Sequence, residues 1–121
     1  MRPHEKLDLW RKSIELAVSI YRQTDTFPKE ERFGLTQQIR RAAVSIASNV
    51  AEGAARASTN EFRKFLTYSQ GSASAVGTQL SIAIRLNYIQ ETDYVRLDRD
   101  LNAVSKMISG LSRSLKRRYS T

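Results

Sequence analysis

Cysteine is absent from this sequence, histidine occurs once, at position 4, and proline occurs twice, at positions 3 and 28. Without cysteine there is no disulfide framework, no thiolate metal site and no cysteine nucleophile. A lone His4, outside any cluster, leaves imidazole-based acid–base or triad chemistry without partners, and a plain surface position is its simplest role. The Glu-x-x-His pairs that a di-iron bundle draws from two helices are also missing. No apolar run approaches the roughly 18 residues of a membrane span. Met1 to Asp8 is polar where a signal peptide would be apolar, so the expectation is a cytoplasmic chain with no membrane segment.

What is present is one domain's worth of chain, residues 1–121, with 40% hydrophobic and 26% charged residues. That balance suits a globular fold and is too apolar for a disordered one. Twenty Lys+Arg against twelve Asp+Glu leave a formal charge of +8. Such a charge speeds encounter with nucleic acid, anionic lipid or acidic proteins without naming any of them, and it also suits an ordinary basic surface.

The hydrophobic periodicity is helical throughout. Leu7, Trp10, Ile14, Ala17 and Tyr21 recur at steps of three and four, flanked by Leu9, Leu16 and Ile20, which predicts a helix over about 3–23. Pro28 breaks the pattern. Lys29-Glu30-Glu31 then suits a helix start, and Leu35, Ile39, Ala42, Ile46 and Val50 carry a second helix over about 29–55. Ser58-Thr59-Asn60-Glu61 is an S-x-x-E capping box opening a third, about 59–88, with Phe62, Phe65, Leu66, Val76, Leu80 and Ile84. Thr92 or Asp93 is placed to cap a fourth, about 93–118, in which Leu97, Leu101, Val104, Ile108, Leu111 and Leu115 alternate steps of four and three. Short connections force antiparallel neighbours, so the fold class is all-α, an antiparallel up-and-down four-helix bundle.

Two off-core features stand out. Gln38, Arg41, Ser45, Asn49 and Glu52 fall within about 80° of one another beside the apolar face of the second helix. A hydrogen-bonded seam to a neighbouring helix or subunit explains them better than a ligand site, because polar groups flanking a core need partners. In the third helix, Gly71, Ser72, Ala73, Ser74, Ala75 and Gly77 surround a single larger residue, Val76. Each interior glycine costs about 1 kcal/mol relative to alanine, and close approach of another helix is the simplest return. A phosphate-binding glycine loop is disfavoured, because no Lys-Ser/Thr pair and no turn at a helix start accompany it.

Basic side chains are spread over all four helices, with Arg40, Arg63, Lys64, Arg113, Lys116, Arg117 and Arg118 the candidates for phosphate contacts. Cations near a helix C-terminus also complement its dipole. No helix-turn-helix, zinc or aromatic-platform signature is present, so any contact would be to phosphates rather than base edges. The carboxylates Glu30, Glu31, Glu61, Glu91 and Asp93 lie near helix ends and need no catalytic role.

The run Phe27-Pro28-x-x-Glu31, Leu35-Thr36-x-Gln38-x-Arg40-Arg41-Ala42-x-x-Ser45-Ile46-x-x-Asn49-Val50-Ala51-Glu52-Gly53-x-x-Arg56, continued by Glu61-Phe62-x-x-Phe65-Leu66, Gly71-Ser72 and Thr78-Gln79-Leu80, resembles the large-subunit (23S) ribosomal RNA intervening-sequence protein family. That family is also called the four-helix-bundle protein family, and Trp10 fits its first helix. The resemblance implies an up-and-down bundle that assembles as a homopentamer, without established enzymatic activity. A distant relative, the accessory protein of diversity-generating retroelements, is a basic pentamer thought to bind nucleic acid. By the same likeness Gln38, Arg41, Ser45, Asn49, Glu52 and Arg56 occupy family-motif positions. Where the family usually has two glutamates after Gly-Ser, this chain has Ala75 and Gly77. If those glutamates pair with arginines such as Arg41, the arginine here has another partner or is freed for an external anion.

The leading expectation is therefore a non-enzymatic homo-oligomer that contacts RNA or DNA phosphates, with no cofactor, metal or small-molecule substrate implied. A protein–protein assembly or scaffold subunit, in which charge serves solubility alone, is the alternative. An enzyme working through carboxylates and arginines is the weakest reading.

Overall fold

The computed structural model describes residues 2–119, excluding the side chain of Tyr119. Four α-helices carry the fold: α1 Asp8–Thr24, α2 Leu35–Ala54, α3 Thr59–Arg85 and α4 Glu91–Tyr119, with short 3-10 turns at Pro3–Lys6 and Lys29–Glu31. The all-α four-helix architecture predicted from periodicity is the one observed, and none of the described helices is long and apolar enough to cross a membrane.

Every helix end has a local cause. The predicted first helix is divided, because Leu7 is extended (φ −86°, ψ 126°) between the Pro3–Lys6 turn and α1. The predicted second helix starts later, at Leu35, because Lys29–Glu31 forms a separate 3-10 turn. Glu31 sits before α2 rather than inside it, and its Oε1 accepts the Leu35 N–H at 3.1 Å, satisfying one of the helix's orphan donors. Ser58 caps α3 as expected, its Oγ accepting the Glu61 N–H at 3.1 Å. That helix ends at Arg85 rather than near 88, since Asn87 adopts φ 62°. The Asn87 N–H donates to Ile84 and the Tyr88 N–H to Ala83, a Schellman closure with asparagine in the left-handed position. Thr92 and Asp93 fall within the first turn of α4 instead of capping it.

The core runs the length of the bundle. Ile20 of α1, Ile39 and Ile46 of α2, Leu66 and Leu80 of α3, and Leu97 and Ile108 of α4 are its largest fully buried side chains. Phe27 and Ile89 close one end, with the Phe27 and Tyr88 rings 5.4 Å apart. On α1 the buried row is Leu9, Ser13, Leu16, Ala17 and Ile20. Ile14 and Tyr21, expected to face the core, are 38% and 43% exposed. Ser13 is tolerated in the interior because its hydroxyl donates to the Leu9 carbonyl at 2.8 Å. On α3, Ser69 and Ala73 fill the stretch between Leu66 and Val76. The Ser69 hydroxyl donates across the bundle to the Ile46 carbonyl at 2.6 Å, joining α3 to α2.

His4 is not a plain surface residue. Its ring is half-buried and stands edge-on to Trp10, 4.8 Å between centroids, so it fastens the N-terminal turn to α1.

Candidate functional site

The polar row on α2 and the small-residue segment on α3 face one shallow groove. Arg41, Ala42, Ser45 and Asn49 form one wall, and Tyr68, Gly71, Ser72 and Ala75 the other, around about 670 Å³ of open space. Antiparallel packing brings them together: the Ser72 hydroxyl donates to Ser45 Oγ at 2.9 Å, and the Asn49 amide donates to the Ser45 carbonyl and hydroxyl at 2.9 and 3.0 Å. The seam thus exists at only two of its five α2 positions, Ser45 and Asn49, and Ser45 alone bonds across to α3. Gln38 is exposed, and Glu52 pairs along its own helix with Arg56, whose guanidinium lies 4.8 Å from the Phe65 ring centroid.

Arg41 is exposed, and no ion pair among the described residues involves it. Ala75 lines the same groove, so a glutamate at 75 would share that space with Arg41, whereas Gly77 points elsewhere, toward Leu101 of α4.

Close helix approach is found at a different glycine. A Cβ on Gly53 would lie 2.9 Å from both Phe62 Cδ1 and Phe65 Cβ, where α2 meets α3. A Cβ on Gly71 would meet nothing within 4 Å, and one on Gly77 would touch only the Leu101 side chain, at 3.4 Å. The conformational cost of Gly71 is therefore not returned inside this chain. Ala73 is buried in the core, and Ser72 is held by Ser45.

A second seam, between α3 and α4, was not anticipated. The Gln70 amide donates to the Ser105 carbonyl and to Ser109 Oγ at 3.1 and 2.9 Å, while its oxygen accepts from the Ser105 hydroxyl at 2.6 Å. One helical step further, Arg63 Nε donates to the Ser112 carbonyl and hydroxyl at 3.2 and 3.3 Å. Ser105, Ser109 and Ser112 at steps of four and three were the signal, masked by the stronger apolar heptad on the same helix.

The proposed phosphate contacts divide accordingly. Arg40 is engaged internally: its Nε donates to Thr24 Oγ1 at 2.8 Å, its Nη2 reaches the Tyr21 carbonyl and Asp25, and its guanidinium stacks on the Tyr21 ring. Arg63 is anchored through Nε alone. Lys64 is exposed beside the Phe65 ring, and Arg113, Lys116, Arg117 and Arg118 are exposed on the last turns of α4.

Bundle topology concentrates this charge. Up-and-down threading places residues 2–16, 45–72 and 105–119 in one half of the bundle, with twelve Lys+Arg and five Asp+Glu. The other half has eight and seven. Nearly all of the +8 thus belongs to one end, and the C-terminal part of α4 contributes five cations and no carboxylate.

Among the described residues, one group with altered acidity stands out, at the opposite end. The Tyr88 hydroxyl donates to Glu31 Oε2 at 2.9 Å, and this bond to a carboxylate, helped by partial burial and the negative charges of Glu31 and Glu30, holds the phenol above its ordinary pKa.

Comparison with family models and with solved structures gives matches. The family model described as 23S rRNA-intervening sequence protein matches residues 5–110. Among solved structures, a protein of unknown function from the S23 ribosomal protein family of Bacteroides thetaiotaomicron is similar, with TM-score 0.78 and 25% identity over 86% of this chain and 97% of the other. No curated protein matches.

Proposed function

The chain belongs to the 23S rRNA-intervening sequence protein family, and from that premise we propose that it is a non-enzymatic, homo-oligomeric bundle that holds RNA by its phosphates. The observation that carries this reading is the uneven charge. One half of the bundle holds twelve cations against five carboxylates, and the other is close to neutral. Charge gathered on one end gives a polyanion a directed field, which dispersed charge would not.

Assembly is supported by the α2–α3 groove. Its floor is small, its Gly71 is open within the chain, and Arg41 stands at its rim without an acidic partner among the described residues. A helix of a second copy fits a groove of this kind, because small residues let backbones approach closely. Repetition of the basic end around an oligomer multiplies the field: five copies would carry about +40. A composition with no cysteine and one histidine supports the non-enzymatic part.

Light scattering on the purified protein, followed by binding of labelled RNA at two salt concentrations, tests the proposal. The expected result is a particle several times the 13.8 kDa chain mass with affinity falling steeply as salt rises. A monomer, or an oligomer with no salt-dependent RNA affinity, overturns it. In the latter case the chain is an assembly subunit whose charge serves solubility.

A further inference from the structure

Beside the α3–α4 seam lies a pocket of about 340 Å³ at the basic end of the bundle, and we infer that it is a phosphate subsite taking one phosphodiester of a single-stranded polynucleotide. The inference rests on the RNA-binding reading above and locates it.

The lining is chemically one-sided. Thr67, Gln70, Ser109, Ser112 and Arg113 surround an apolar floor that includes Leu66, and no carboxylate contributes. The floor is dry core, Leu66 being 1% exposed, so it suits the carbon face of a sugar better than a hydrated ion. The rim supplies donors. Ser109 Oγ and Ser112 Oγ each accept a bond from α3, from Gln70 and Arg63 respectively, and neither hydroxyl proton is committed to another described residue. Each hydroxyl therefore keeps a rotatable proton to donate to a ligand.

Arg63 is pinned by Nε to Ser112, which leaves its two terminal nitrogens without partners among the described residues and fixes the direction in which they point. Arg113 follows Ser112 directly and is exposed, with no ion pair among the described residues. The Arg113 guanidinium and two hydroxyls line the pocket, and Arg63 is tied to the lining residue Ser112, a donor set that suits the several acceptor oxygens of a phosphate. The C-terminal dipole of α4 does not oppose an anion here, because the helix continues to Tyr119 and the dipole acts mainly within its last turn. Lys116 and Arg117 continue the basic track one turn further, where the neighbouring phosphates of a strand would lie.

The test compares the wild type with Arg113→Gln, Ser112→Ala and Arg85→Gln, using fluorescence anisotropy of a labelled single-stranded RNA of about 20 nucleotides. Arg85 is exposed in the near-neutral half of the bundle, so its variant removes the same charge away from the pocket. Ser112→Ala keeps the net charge and the backbone acceptor for Arg63. The subsite predicts that Arg113→Gln weakens binding about fivefold and reduces the salt slope by about 0.7, that Ser112→Ala weakens it with the slope unchanged, and that Arg85→Gln does little. Equal losses in the Arg113 and Arg85 variants from a wild type that binds RNA would overturn the subsite and leave the general reading standing. A wild type without RNA affinity overturns both. Titration with inorganic phosphate at constant ionic strength reads the other source of this chemistry. Thermal protection of the wild type but not of Arg113→Gln, without RNA binding, assigns the pocket to a small phosphate compound and overturns the polynucleotide assignment.

Discussion

The Cβ that Gly53 lacks would stand 2.9 Å from the Cβ of Phe65, so α2 and α3 are pressed together at their shared end by the absence of a single methyl group. Phe62 completes the constraint, with Cδ1 at 2.9 Å and its carbonyl oxygen at 3.2 Å from the same point. The backbone oxygen and a β-carbon cannot swing aside as a flexible side-chain tip would.

Gly53→Ala therefore separates the two helices rather than stabilising α2. Overpacking of this kind costs about 1–3 kcal/mol, against the roughly 1 kcal/mol that alanine gains over glycine in a helix. Urea unfolding should show a net loss of stability, and a gain would mean that the helices part freely there.

Gly71→Ala has the opposite sign in the isolated chain. The added methyl meets nothing within 4 Å, so the expected effect on a monomeric preparation is a gain of about 1 kcal/mol. If Gly71 lies against a second copy, the same variant shifts the oligomer toward smaller species in light scattering. Unchanged assembly together with the stability gain would remove this glycine from the interface.

Ala75→Glu restores an acidic side chain to the groove that holds Arg41. The expected outcome is a charge pair across α2 and α3 that raises stability by up to about 1 kcal/mol, with a changed oligomer size in light scattering if a second copy occupies the groove. Unchanged stability with unchanged assembly would show that Arg41 faces neither the new carboxylate nor a second copy.

Tyr88 carries a pH signature. Its phenol is held protonated by Glu31, so the folded-state pKa exceeds the unfolded value near 10. The contribution of the bond is complete below about pH 10 and is lost as pH rises through the folded pKa. Wild type should exceed Tyr88→Phe in stability at pH 8, and the difference should shrink by pH 11 in denaturant titrations. A constant difference would mean that the hydrogen bond does not couple to ionisation.

Helix count, order and handover points were legible because each left a local signal. The apolar heptad of α4 was read correctly in Leu97, Leu101, Val104 and Ile108, all buried, and the Ser58 cap was visible as a four-residue pattern. On α1 the pattern misled, since Ile14 and Tyr21 share the helical period with Leu9, Leu16 and Ile20. A broad apolar arc contains two rows of the same spacing, and Ser13 in the buried row made it look like the polar one. Only the direction of the neighbouring helices chooses between them.

The candidate site was legible by half. The polar row on α2 and the small residues on α3 were recognised separately, but their meeting in one groove depends on antiparallel register, which places Ser45 against Ser72. The α3–α4 seam escaped notice because serine spacing gains meaning only when Gln70 and Arg63 lie opposite.

Sequence alone determined what acts over one or two turns, helical period, caps and breaks, together with total charge and the lack of cysteine. Tertiary structure decided which of two apolar rows on α1 is core, which glycine is crowded, and that nearly all of a dispersed +8 gathers in one half of the bundle. The reason is geometric. Periodicity and capping are properties of a few adjacent residues, whereas crowding and charge accumulation depend on distances between residues that the chain brings together only when its helices fold back on one another.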